Sequence, residues 1–199
     1  MPLTQYALDE FVAQDLSKLT ECRAPSIEAD FEDRSNWLNN FVLNAIFKMS
    51  LPKEKLALAL ALIRRADGAV QDYGAGRLVL ESMANGERTV KNYFDCLRKF
   101  ESSAAMTYQT YMFTMRFLPT KLFKPGDGSA YQRLNDIYNK GRHEDPEKLP
   151  KGHLHAVWIT NDGLCADGAL LGFDELADQI REIGSLARKL SNAEVPPST

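Results

Sequence analysis

The chain is poor in the residues that build disulfide scaffolds and metal knuckles. Only three cysteines occur, Cys22, Cys96 and Cys165, an odd number with no CxxC pair. That argues against a disulfide framework and points to a reducing compartment. Long hydrophobic runs are missing too. The most apolar stretch, residues 56–63, is too short to span a bilayer and is closed by Arg64 and Arg65. The opening MPLTQYALDEF holds two acids and no apolar h-region, so no secretory signal is expected. No Asn-x-Ser/Thr sequon appears. The expectation is a cytoplasmic protein with no membrane partner. Cofactor motifs are also lacking. Gly74-Ala-Gly76 has no third glycine or preceding strand, Gly126-Asp-Gly128-Ser129 has no following Gly-Lys-Ser/Thr, and no GxSxG occurs. No cofactor is expected.

What is present is an ordinary globular composition, 44% apolar and 26% charged, in a chain of 199 residues long enough to bury its own core. The pattern predicts one helical domain over residues 1–193 and a disordered tail over 194–199. The net charge of −3 is unevenly spread: residues 1–36 carry −5, 37–115 carry +3, 116–161 carry +3 and 162–199 carry −4. A mildly basic middle between acidic ends permits a basic groove without requiring nucleic-acid binding.

Apolar spacing predicts an all-α bundle of about six helices. Leu8, Phe11, Val12, Leu16 and Leu19 mark a first helix over residues 4–19. Trp37, Leu38, Phe41, Val42, Ala45, Ile46 and Met49 form a stripe broad enough for a buried helix. Ser50 and Pro52 open the next, which runs to Met83. Its start alternates Leu with Ala at period two, but Ala and Leu are strong helix formers and no β-branched residue precedes Ile63. Three glycines over residues 68–76 imply a kink or a close helix contact. Asn85-Gly86 then joins this helix to the long run 87–118, giving an antiparallel hairpin stopped by Pro119. Ser129 caps a short helix expected to fray near Gly141. Residues 154–160 form one extended segment, or a small hairpin with 169–171, and Asn161-Asp162-Gly163 supplies a turn with Gly163 at positive φ. Trp158 is expected to pack against the last helix. That helix starts near Phe173 with the seam Phe173, Leu176, Ile180, Ile183, Ala187 and Leu190.

The chemistry-bearing cluster is Tyr138-Asn139-Lys140-Gly141-Arg142-His143. If helical, Asn139 and His143 share one face and Tyr138 and Arg142 the adjacent one. Cations near a helix C-terminus are a plain dipole effect. The functional alternative gives Arg142 a phosphate, His143 a proton transfer and Asn139 the orientation of the scissile group. His153-x-His155 on a strand is a weaker pair of potential metal ligands with no fixed third partner, so no metal site is assigned.

Over residues 133–190 the chain resembles a group of uncharacterised bacterial helical proteins. These carry a Tyr-Asn-x-x-Lys-His element, then Trp-x-Thr-Asn-Asp-Gly-Leu, then a Phe-x-Glu-Leu helix. Here those positions read Tyr138-Asn139-Lys140-Gly141-Arg142-His143, Trp158-Ile159-Thr160-Asn161-Asp162-Gly163-Leu164 and Phe173-Asp174-Glu175-Leu176. The group is in turn similar to HEPN-like helical bundles, many of them metal-independent RNases or toxins. The resemblance implies a protein that binds or cleaves RNA or a nucleotide, within a bacterial toxin or defence system. It implies His143, Arg142 and Asn139 as catalytic and Tyr138, Trp158, Asn161 and Asp162 as substrate-binding. None of the three histidines has the Arg four to six residues ahead of it on one helix that those nucleases use. That gap favours a second reading, a non-enzymatic protein-interaction module or antitoxin-like subunit. A homodimer through one apolar helical face suits either reading. The catalytic reading expects degradation of mixed RNA in EDTA that is lost in His143→Ala. Activity equal in both proteins, or absent from both, removes His143 from catalysis.

Overall fold

The computed structural model describes residues 21–117, 121, 123–143, 145–149 and 155–194. The helix expected over residues 4–19, the stop at Pro119, His153 and residues 195–199 lie outside the described residues. Among the described residues there are five α-helices: α1 (Trp37–Phe47), α2 (Lys53–Ala84), α3 (Val90–Phe117), α4 (Ala130–Arg142) and α5 (Phe173–Ser191). Three short strands, β1 (Val157–Ile159), β2 (Gly163–Ala166) and β3 (Ala169–Gly172), form an antiparallel meander. No helix among the described residues is long and apolar enough to cross a membrane.

The chain is thus mostly helical, and the all-α expectation is corrected by a real sheet. Its unforeseen member is β2. Gly and Ala are weak strand formers, and β2 is recruited by pairing on both edges. Trp158 lies opposite Cys165, and Cys165 opposite Leu170. Gly163 is not at positive φ as expected; that conformation falls on Gly168, φ 78°, in the two-residue turn to β3. Gly163 is required instead by crowding, since a Cβ there would sit 2.0 Å from the Leu171 carbonyl oxygen.

The helical hairpin forms as expected. The Leu/Ala run is continuous helix, with Pro52 standing just before its first residue rather than inside the first turn. At its other end Gly86, φ 104°, closes a Schellman motif: its N–H donates to the Met83 carbonyl and that of Glu87 to Ser82. Thr89 then caps α3 by accepting from the Asn92 N–H at 3.0 Å. Two of the three glycines of α2, Gly68 and Gly76, mark a close helix contact. A Cβ on Gly68 would meet the Met106 sulfur at 2.3 Å, and one on Gly76 the Phe100 ring at 3.2 Å. Polar bonds run across the same seam. Ser103 donates to the Ala69 carbonyl at 2.8 Å, and Lys99 and Ser102 both donate to Asp72, at 2.7 and 2.6 Å.

The seam of α5 is buried throughout its length, from Phe173 to Leu190. In α1, by contrast, only Trp37 and Phe41 are buried, so the expected fully buried helix is corrected. Val42, Leu43, Ile46 and Phe47 face outward. The segment ahead of α1 is clamped to α5. Arg188 grips Asp33 through two nitrogens, at 2.9 and 2.7 Å, and Arg181 reaches Asp30 at 2.8 Å. Phe31 packs edge-on to Trp37 and against Gly184.

Two contrasts follow. Gly184→Ala would drive a Cβ to 2.3 Å from the Phe31 ring, and urea denaturation should show a loss of ~1–3 kcal/mol. Gly74→Ala meets only the Glu28 carboxylate at 3.6 Å, so helix propensity should make it neutral or stabilising by up to ~1 kcal/mol. The bonds from Arg188 hold the Asp33 carboxyl below its ordinary 3.8. A lowered carboxyl contributes stability above its unfolded value and loses it as pH falls through the folded one. The stability gap between wild type and Arg188→Met, ~0.5–1 kcal/mol at neutral pH for a partly exposed pair, should therefore close below about pH 4.

Candidate functional site

The cluster singled out in the sequence sits on α4. Ser129 caps that helix, accepting from the Gln132 N–H at 3.2 Å, and Leu134 and Ile137 bury its inner face. Arg133 forms a two-pronged ion pair with Glu175, through Nε at 3.1 Å and through Nη2. Glu175 also accepts from the Gly172 N–H at 3.1 Å, capping α5. One carboxylate thus starts α5 and fixes α4 beside it. The helix does not fray at Gly141. It runs to Arg142, and the His143 N–H closes it on the Asn139 carbonyl at 3.1 Å. Gly141 admits close neighbours on both sides: a Cβ there would lie 3.2 Å from Glu101 Oε1 and 3.5 Å from Val157 Cγ2.

Two hollows flank α4. The larger, about 490 Å³, lies between α3 and α4 and is lined by Arg98, Glu101, Ser102, Gln109, Tyr138 and Arg142 over a floor of Ala104, Ala105 and Ile137. Arg142 donates to the Tyr138 hydroxyl at 2.9 Å, and its guanidinium stands 6.0 Å from the centre of that ring. The Tyr138 ring stacks on Tyr108 with centroids 4.4 Å apart. Burial, then the neighbouring Tyr138, raises the Tyr108 phenol above its ordinary pKa. Gln109 contributes a buried Oε1 with no hydrogen-bond partner among the described residues.

The smaller hollow, about 380 Å³, opens on the other side of α4 and is lined by Asp136, Asn139, Lys140, His143, Asp167, Gly168 and Ala169. Asn139 donates to Asn135 at 3.1 Å. The structure therefore brings Tyr138 to Arg142 and Asn139 to His143, but the two pairs face separate hollows. The reason is helix pitch: residues four apart share a face, while adjacent residues point about 100° apart.

Trp158, Asn161 and Asp162 line neither hollow. Val157 and Ile159 bury the inner face of β1, so Trp158 points to the outer face with Cys165 and Leu170. The turn after β1 is organised by Thr160, whose hydroxyl accepts from the N–H groups of Asp162 and Gly163, each at 3.2 Å. The Asp162 carbonyl accepts from the first N–H of α5 at 2.8 Å, and its carboxylate pairs with Arg23 at 2.7 Å. Asn161 Oδ1 is buried with no partner among the described residues. Through its carbonyl, Asp162 anchors the sheet to α5.

His155 is buried, its ring 5.7 Å from Tyr93 and 5.3 Å from Phe94, with the Tyr93 hydroxyl 3.3 Å from Nε2. That is a packed position. Among the described residues no three His, Cys, Asp or Glu side chains gather as a potential metal site. The residues that sequence reasoning missed are Arg98, Glu101, Ser102 and Gln109. Their signal was a row of polar side chains at helical spacing along α3, 98, 101/102 and 109, interrupted by Ala105, beside the core stripe. Nothing local ties that row to α4. Buried Tyr111 and half-buried Tyr131 both donate to Glu182, at 2.8 and 2.6 Å. Burial first, then Glu182, pushes Tyr131 up to about 12, so near neutral pH it stays a hydrogen-bond donor. Compared with known proteins, this chain matches no family, no curated protein and no solved structure.

Proposed function

We propose that the chain binds RNA or a nucleotide in the groove between α3 and α4, with Arg98 and Arg142 holding phosphate. The observation that carries this reading is the lining of the groove, where the guanidiniums of Arg98 and Arg142 stand with an aromatic ring and a hydroxyl beside a single carboxylate, Glu101. Guanidiniums recognise phosphate oxygens through paired, charge-assisted bonds. The basic excess of the middle of the chain, +3 over residues 37–115 and +3 over 116–161, would favour approach of an anion.

This reading keeps the ligand class implied by the resemblance to HEPN-like proteins and changes the roles. Arg142 and Tyr138 contact the ligand. His143, on the far side of α4, does not share the groove with the phosphate. Binding, rather than cleavage through His143, is what the arrangement supports. The outward apolar face of α1 favours a second role, contact with a protein partner.

Binding is measured by fluorescence anisotropy with a labelled adenine nucleotide and a labelled short single-stranded RNA, at low salt and with EDTA present. Arg98→Ala and Arg142→Ala should each weaken binding ~10-fold or more, the loss of a charge-assisted bond of about 1.5–3 kcal/mol. His143→Ala should bind as wild type. Affinity unchanged by both arginine variants, or no binding of either probe, defeats the proposal. Cleavage abolished by His143→Ala would transfer the site to the other hollow.

A further inference from the structure

We infer that Tyr108 is a positioning residue of the groove: it fixes the guanidinium of Arg142 through the ring of Tyr138. On the reading of that groove as a phosphate site, this gives a role to a side chain that does not line the groove itself.

Arg142 is the last residue of α4 and is exposed. A long side chain in that position has many rotamers. A guanidinium that its ligand must first order binds more weakly than one already in place. Tyr138, one turn earlier on the same face, supplies the order. Arg142 donates to the Tyr138 hydroxyl at 2.9 Å, and its guanidinium carbon stands 6.0 Å from the centre of the ring. That bond uses one donor of the fork and leaves the others for a phosphate. A tyrosine serves as an anchor only if its own ring is held.

Tyr108 supplies that hold. Its ring lies against that of Tyr138 with centroids 4.4 Å apart and planes 26° from parallel, a stacked arrangement that aromatic pairs favour. The contact crosses from α3 to α4, so the Tyr138 ring takes its position from the helix that carries Arg98. The two guanidiniums of the groove are thereby set relative to one another. Tyr108 is half-buried and borders a small apolar hollow shared with Tyr111, Met112 and Leu134. A swing of its ring would have to displace packed side chains. Burial, then Tyr138, raises the Tyr108 phenol above its ordinary pKa, so it stacks as a neutral ring near neutral pH. The hold comes from the ring and does not need the Tyr108 hydroxyl.

The test uses the full chain and two readouts. The first needs no ligand: nitrogen relaxation of the Arg142 Nε–H group, its signal assigned with Arg142→Lys. The order parameter should exceed ~0.6, below which a group counts as flexible, in wild type and in Tyr108→Phe. It should fall below that level in Tyr108→Leu, Tyr108→Met and Tyr138→Phe. The second readout is the anisotropy titration with the labelled adenine nucleotide and the labelled RNA. Tyr108→Leu should weaken binding about 2- to 10-fold, the effect of leaving one long side chain to be ordered on binding. Tyr108→Phe should bind as wild type. In an Arg142→Ala background Tyr108→Leu should cost nothing further, because both changes remove one contact. Helical circular dichroism accompanies every variant. Tyr108→Met, whose side chain fills irregular gaps, takes the place of Tyr108→Leu if the latter loses helix. An Arg142 side chain equally ordered with and without the Tyr108 ring, or mobile in wild type, overturns the inference. So does a Tyr108→Leu loss that adds in full to that of Arg142→Ala. These results leave the reading of the groove standing if Arg142→Ala still weakens binding. Failure of both probes to bind defeats that reading alone, and the relaxation measurement still decides the role of Tyr108.

Discussion

The close approach of α2 to α3 is the constraint on which the rest of the structure depends. Gly68 and Gly76 let Met106 and Phe100 lie where a methyl group would otherwise stand. Each glycine costs the helix roughly 1 kcal/mol relative to alanine. Packing and the bonds made along the seam offset that cost: Ser103 to the Ala69 carbonyl, and Lys99 and Ser102 to Asp72. Of the two donors to Asp72, Ser102 also lines the groove. The polar row of α3 is thereby presented toward α4 in a fixed rotation, and Phe100, packed between Tyr73 and Phe173, locks that rotation from below.

The same logic of shared anchors recurs at α4 and α5. Glu175 caps α5 and holds Arg133, so the start of one helix and the azimuth of its neighbour are set by one carboxylate. The Asp162 carbonyl receives the first N–H of α5, so the turn after β1 begins that helix. The sheet is therefore more than an insertion between helices. Its inner face packs on α4 through Val157 and Gly141, and its edges tie α4 to α5. With its own orientation set in this way, α4 divides the surrounding surface in two. The guanidinium of Arg142 goes to one side and the imidazole of His143 to the other. Adjacency in sequence guarantees that divergence on any regular helix.

Local rules made much of the helical framework legible. The Schellman close at Gly86, the cap at Ser129 and the apolar seam of α5 each follow from chemistry at helical spacing along one stretch of chain. The fate of the α2 glycines was not legible. Kink and close contact have the same signature in sequence, and only Phe100 and Met106 across the gap show the close contact at Gly68 and Gly76. The strand β2 was hidden for a related reason. Gly163-Leu164-Cys165-Ala166 has little strand character of its own, and Gly163 acts there through its nearness to Leu171 rather than through a turn conformation.

For the candidate site the division is sharper. The sequence by itself determined that Tyr138 and Arg142 form one pair and Asn139 and His143 another, because helix pitch is a local property. Only the tertiary structure decided what each pair faces. The first meets Arg98, Glu101, Ser102 and Gln109 on a helix roughly thirty to forty residues earlier, and the second meets the Asp167-Gly168 turn. The outer side of α1 followed the same rule. Its apolar stripe was written in the chain, but whether that stripe is covered depends on how many neighbours reach it. Neighbours are set by the packing of distant segments, which no local pattern encodes.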